Sequence, residues 1–145
     1  LPRDVFVIEE QDAVQSDDQA FVSLDRHVVH FAPGRQIAAF AMFDLMYDLS
    51  TMPATMSISF DLTADSPSDL LVDVLSELLL RSENDDVVFS DFRVHEAGMR
   101  ATVEAAGSSA VGEELRGPPI KAVTYHGLRC ERAGAGWEIQ VIFDV

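Results

Sequence analysis

The closing stretch, KAVTYHGLRCERAGAGWEIQVIFDV (residues 121–145), constrains the fold more than any other. Its second half alternates. Trp137, Ile139, Val141 and Phe143 fall on one face, and Glu138, Gln140, Ile142 and Asp144 on the other. That is the period-two pattern of a strand with one buried face. Gly134-Ala135-Gly136 supplies a turn, so the stretch reads as two strands in a hairpin. An end this apolar is expected to be tied into a sheet rather than left frayed. The same strand sets the Asp144 carboxylate beside the C-terminal carboxylate of Val145. Two adjacent carboxylates make a hard-oxygen pair of the kind divalent cations prefer. An exposed strand end is the plainer reading of the same two groups.

Charge narrows the partners. The formal net charge is −15 and the sequence pI about 4.3. Such a surface repels phosphate backbones, so no direct nucleic-acid binding is expected. It suits a basic protein partner, a cation or a salty cytoplasm, and a merely solvated acidic surface is the bland alternative. With 48% hydrophobic residues in 145, a single domain over 1–145 has enough for a core. Cys130 is the only cysteine, which excludes an intramolecular disulfide and a multi-cysteine zinc site. There is no basic-then-apolar leader, so a cytoplasmic location is expected. The most apolar run, 37–49, carries Asp44 and Asp48 and is too short to span a bilayer, so no membrane association is expected.

Residues 1–20 are acidic and weakly patterned, an N-terminal extension with one short strand at 4–10. Residues 21–32 are β-like and end at Pro33-Gly34, a turn signal. A first helix is predicted over 36–49, with Asp44 and Asp48 facing solvent. Residues 54–63 alternate as a half-buried strand. Ser66, Pro67 and Asp69 read as N-cap, first helical residue and dipole-favoured acid of a second helix over 67–81. Its buried stripe is Leu71, Val74, Leu75, Leu78 and Leu79, and residues 82–86 form a polar turn. Strands over 87–95 and 99–106 make a hairpin, the second with Met99, Ala101, Val103 and Ala105 inward. Residues 107–120 have no period, and a loop of this length is expected to be functional or mobile. The sum is an α+β domain: two helices packed on one face of a mostly antiparallel, mixed β-sheet.

Chemistry-bearing motifs are few. There is no phosphate-cradling P-loop, no dinucleotide fingerprint, no HExxH, CxxC or GxSxG. His27, His30, His95 and His126 are scattered, and a lone histidine on a strand is more often structural. Three segments change the picture in combination: VDVLSELLLRSENDDVVFSDFRV (72–94), KAVTYHGL (121–128) and WEIQVIFDV (137–145). Together with the helix FAMFDLMYDL (40–49), they resemble the archease family over residues 34–145.

That resemblance implies an acidic cytoplasmic accessory protein rather than an enzyme. Its partner would be the tRNA-splicing RNA ligase that joins 2′,3′-cyclic-phosphate and 5′-hydroxyl ends. The accessory protein would promote guanylate transfer onto the ligase histidine and allow multiple turnover. The family's metal site implies a divalent, calcium-like ion held by an N-terminal aspartate, by Asp144 and by the carbonyl of Val145. Lys121 matches the family's functional lysine, and His126 belongs to the same motif. Tyr125 reads as packing. The chain departs from the family at the HTAD-like element, where ungapped counting from Gly34 gives Leu24-Asp25-Arg26-His27. The metal aspartate position then falls on His27, and a two-residue slip offers Asp25. Imidazole there would move the preference from a hard cation towards zinc-like metals. A metal-independent adaptor or chaperone-like module of the same fold is the alternative function. An enzyme in its own right lacks a nucleophile–base arrangement.

Overall fold

β8 (Gly136–Asp144) is paired along both edges, and one sheet is built around it. The structure is a computed structural model and describes residues 3–9, 21–23, 30–31, 34–117, 119–133 and 136–144. One edge of β8 takes β7 (Ala122–Ala133). The other takes β1 (Arg3–Glu9) against residues 140–144 and the short β3 (His30–Phe31) against 137–138. β2 (Phe21–Ser23) adds to β1. The alternation of β8 is realised, with Ile139, Val141 and Phe143 buried. Ile142, on the opposite face, is buried as well, because β7 folds over it.

A second sheet has the order β4 (Met56–Thr63), β6 (Arg100–Ser109), β5 (Val87–Ala97). Every described pairing in both sheets is antiparallel. The α+β class, the two helices and the antiparallel strands are those the sequence predicts. Their division between two sheets depends on which distant strands pair, and chain order does not state that.

β5 carries a bulge between Phe89 and Asp91. The extra residue lets Phe89 and Phe92 both point inward, where strict alternation would oppose them. They meet Phe43 with ring centroids 5.7 and 5.5 Å away. Met99, predicted inward, is instead 42% exposed, because it sits in the Gly98-Met99 turn between β5 and β6.

α1 (Gly34–Met46) and α2 (Pro67–Asp85) supply the rest of a core that also takes in residues of both sheets. α2 starts as its sequence dictates. Ser66 is the N-cap, its Oγ accepts from the Asp69 N–H at 3.1 Å, and Pro67 occupies the first turn. Leu70, Leu71, Val74, Leu75 and Leu78 are fully buried, each worth about 1.5–3 kcal/mol relative to exposure. The helix runs past the predicted stop at Arg81, to Asp85. Its exposed last turn needs no core residues, and Asp86 closes it in the left-handed conformation, φ 51°. Among the described residues no helix is long and apolar enough to cross a membrane.

The stretch predicted as a functional or mobile loop is pinned. β6 takes its first residues, and the remainder crosses the end of α1. The Arg116 N–H donates to the Met46 carbonyl at 2.6 Å and the Ile120 N–H to Met46 Sδ at 3.3 Å. α1 stops at Met46, short of the predicted end at 49, and the Arg116 guanidinium reaches Asp44 within the helix at 3.3 Å and Asp48 beyond it at 3.8 Å, so it bridges the two acids.

Candidate functional site

The β7–β8 ladder decides what the motif residues can do. Ile120, 3% exposed, anchors the entry to β7 in the core and leaves Lys121 exposed on the next residue. The Lys121 N–H donates to the Asp144 carbonyl at 2.7 Å, and Ala122 is the register partner of Asp144. On the other edge of β8, Asp144 is in register with Arg3 of β1. Asp144 is partly buried. Lys121 is the only lysine in the chain. An ammonium-bearing residue and a carboxylate-bearing one, far apart in sequence, therefore lie on adjoining backbone. Such a pair can address a phosphate, a metal ion or a charged protein surface.

His126 is held differently. Thr124 pairs with Ile142, and the next register pair is Arg129 with Gln140. Tyr125, His126, Gly127 and Leu128 thus stand opposite Val141 alone, as a wide bulge. Gly127 makes it possible. Its φ is +65°, and a Cβ there would lie 2.8 Å from Ile142 Cδ1. Gln140 Nε2 donates to the Gly127 carbonyl at 2.7 Å, and Thr124 Oγ1 to the Ile142 carbonyl at 2.8 Å. The bulge exposes Tyr125, His126 and Gly127, while Leu128 turns back against the core.

Tyr125 is not the packing residue the sequence suggests. It is 55% exposed, and its hydroxyl donates to Asp69 Oδ1 at 2.9 Å. That bond, more than burial, holds the hydroxyl above its ordinary pKa. Asp69 belongs to the first turn of α2, so the bulge rests on the start of a helix 56 residues earlier in the chain. The one local signal for this arrangement is a glycine inside an otherwise strand-like run, which marks bulges.

The structure therefore sets the backbones of Lys121 and Asp144 side by side. His126 is set apart, five residues further along the chain, up to roughly 17 Å if it were extended. Asp25, His27 and Val145, the other predicted metal ligands, lie outside the described residues. Among the described residues no group of three His, Cys, Asp or Glu is placed to hold a metal ion. Asp144 is the one predicted ligand within them. Its carboxylate suits a hard divalent cation but does not complete a coordination shell by itself.

Fold and site together define a small α+β domain with charged residues at a strand terminus. Residues 36–145 match the model of the Archease protein family (MTH1598/TM1083), and the chain belongs to that family. It is 37% identical to protein archease of Methanosarcina acetivorans over 114 residues, 74% of this chain and 78% of that protein. With protein archease of Methanopyrus kandleri it shares 33% identity over 114 residues, 74% of this chain and 81% of the relative. The solution structure of Methanobacterium thermoautotrophicum protein 1598 superposes with a TM-score of 0.64 at 27% identity, covering 77% of this chain and 82% of that one. An archease from Thermotoga maritima, described as a possible chaperone, shares the fold at TM-score 0.56 and 17% identity, over 82% of this chain and 88% of that one.

Proposed function

We propose that this archease activates the RNA ligase that joins 2′,3′-cyclic-phosphate and 5′-hydroxyl ends in tRNA splicing. It acts as an accessory protein, promoting guanylylation of the ligase so that each ligase molecule turns over repeatedly. The observation that carries this reading is the adjacency of Lys121 and Asp144, fixed by a 2.7 Å backbone hydrogen bond. Family membership and the KAVTYHGL motif support it.

In this reading Lys121 supplies a cation to a nucleotide phosphate or to a ligase carboxylate. Asp144, with Val145 and either Asp25 or His27, holds a divalent, calcium-like ion. The ion would supply positive charge where the net charge of −15 otherwise repels a nucleotide. Calcium titration by calorimetry tests the ion separately: the natural protein takes up heat-detected calcium, and Asp144→Ala does not.

The function is tested by multiple-turnover ligation with limiting ligase from the same source. The reactions contain the natural protein, Asp144→Ala, or neither. Stimulation by the natural protein alone is the expected result. Stimulation by both keeps the partnership and removes the metal from the mechanism. No stimulation by either, with active ligase, overturns the proposal.

A metal-independent adaptor or chaperone-like module is the second reading. It is favoured by the altered HTAD-like element, where His27 stands at the aspartate position, and by the description of the Thermotoga maritima archease as a possible chaperone. It predicts partner binding indifferent to calcium and to Asp144→Ala.

A further inference from the structure

We infer that Tyr125 and Asp69 are a positioning pair that fixes the His126 bulge of β7 for contact with the partner protein. The inference deepens the ligase-activator reading and rests on it.

A stretch of four residues facing one has no regular ladder to hold it. Two of its described restraints lie within the sheet: Gln140 Nε2 on the Gly127 carbonyl, and Thr124 Oγ1 on the Ile142 carbonyl just before the bulge. The Tyr125 hydroxyl on Asp69 is the described hydrogen bond that ties the bulge to a different layer. Tyr125 is 55% exposed, so it contributes little as a core filler, and its hydroxyl is the informative part.

The acceptor is itself fixed. The Asp69 N–H is bonded to Ser66 Oγ within the N-cap of α2, and its carboxylate stands at the positive end of the helix dipole. The hydroxyl donates to the Asp69 carboxyl oxygen at 2.9 Å, within the ordinary O–H···O hydrogen-bond range. The raised pKa of the Tyr125 hydroxyl agrees with a bond that favours the protonated phenol. Helix α2 thus carries two jobs in one turn: it caps itself through Ser66, and it holds the bulge through Asp69. His126, exposed at the bulge, is presented on a restrained backbone. Such pre-ordering lowers the cost of binding without adding a contact.

The test uses the full chain. Stimulation of limiting ligase is titrated to give a half-maximal concentration and a maximal rate. Amide exchange of residues 125–128 is read in the same proteins without ligase. Tyr125→Phe and Asp69→Ala are expected to raise the half-maximal concentration about fivefold, with the maximal rate retained, and to speed exchange in the bulge. Asp69→Asn keeps a side-chain carbonyl for the hydroxyl and is expected to restore both. The double variant Tyr125→Phe/Asp69→Ala should be no worse than either single one.

Unchanged half-maximal concentration in Tyr125→Phe overturns the inference, whether or not exchange speeds up. A lower maximal rate with unchanged concentration dependence overturns it as well. If the natural protein does not stimulate the ligase, the activator reading fails first, and the inference about a partner fails with it. The exchange data then report only whether the pair holds the bulge.

Discussion

The backbone N–H of Lys121 donates to the carbonyl oxygen of Asp144 at 2.7 Å, just beyond the Ala122–Asp144 register pair that ends the β7–β8 ladder. The residues are separated by a whole hairpin, yet one backbone hydrogen bond joins them. A substitution of either side chain therefore removes chemistry without removing the bond that joins the strands. Lys121→Ala and Asp144→Ala are therefore the reagents for the activation assay, and other regions of the molecule are better probes of stability.

Gly107 on β6 is one such probe. A Cβ there would lie 2.0 Å from the Val88 carbonyl oxygen and 2.8 Å from Phe89 Cα, both backbone atoms. Backbone in the middle of a three-stranded sheet cannot retreat as a side chain can. Gly107→Ala is expected to cost about 3 kcal/mol, the upper end for overpacking, measured by urea denaturation. A loss below about 0.5 kcal/mol would mean β5 and β6 separate more easily than their register implies.

The two ends of α2 should respond in opposite directions. Ser66→Ala removes the cap on the Asp69 N–H and is expected to cost about 1 kcal/mol. Asp86→Gly relieves a left-handed residue with φ 51° and removes an acid from the negative end of the helix dipole. It is expected to gain roughly 1 kcal/mol. Thermal denaturation of both variants beside the natural protein reads the sign directly, and a destabilised Asp86→Gly would contradict the capping account.

Acid should weaken the fold through two carboxyls. Asp61 accepts from Thr102 Oγ1 and Arg100 Nη2, both at 2.8 Å, and these bonds hold its carboxyl below the ordinary 3.8. The Ser50 hydroxyl and N–H do the same for Asp48. A folded-state value below the unfolded one contributes stability that is present above the unfolded pKa. That stability is lost as pH falls through the lowered value, so the loss falls below about pH 4. In Thr102→Val the urea midpoint should drop less between about pH 6 and pH 2.5 than in the natural protein. An equal drop would assign the acid sensitivity elsewhere.

Salt should stabilise. The chain has 25 acidic and 10 basic residues, so repulsions outnumber the ion pairs that salt also weakens. The described pairs, such as Arg100–Asp61 and Arg81–Glu77, are substantially exposed and worth about 0–1 kcal/mol each. Shortening the Debye length from about 10 Å to about 3 Å, between 0.1 and 1 M salt, screens the net repulsion more than it costs these pairs. The melting temperature should rise with potassium chloride across that range. A fall would show that specific pairs, not net charge, dominate.

Much of the local structure was legible in the residues. Ser66-Pro67 announces the start of α2, the period-two runs announce β4, β6 and β8, and KAVTYHGL with VIFDV points to the family. These signals act over a few residues: a cap needs the next turn, and an alternating strand needs only a buried face. What the sequence left open was longer range. It placed a polar turn at 82–86, where the helix continues, and a free loop where Arg116 is locked across Met46. It read Tyr125 as packing.

The sequence by itself determined the α+β class, the helix and strand identities and the motif residues, because propensity, capping and hydrophobic period are properties of neighbouring residues. Only the tertiary structure decided that β8, already read as the hairpin partner of β7, would also pair with β1, that the Lys121 backbone would meet that of Asp144, and that the bulge at His126 would lean on Asp69. Those contacts join segments that share no local period. They are selected by the packing of the whole core, where one pairing buries Ile139, Val141 and Phe143 and satisfies the backbone on both edges of β8 at once.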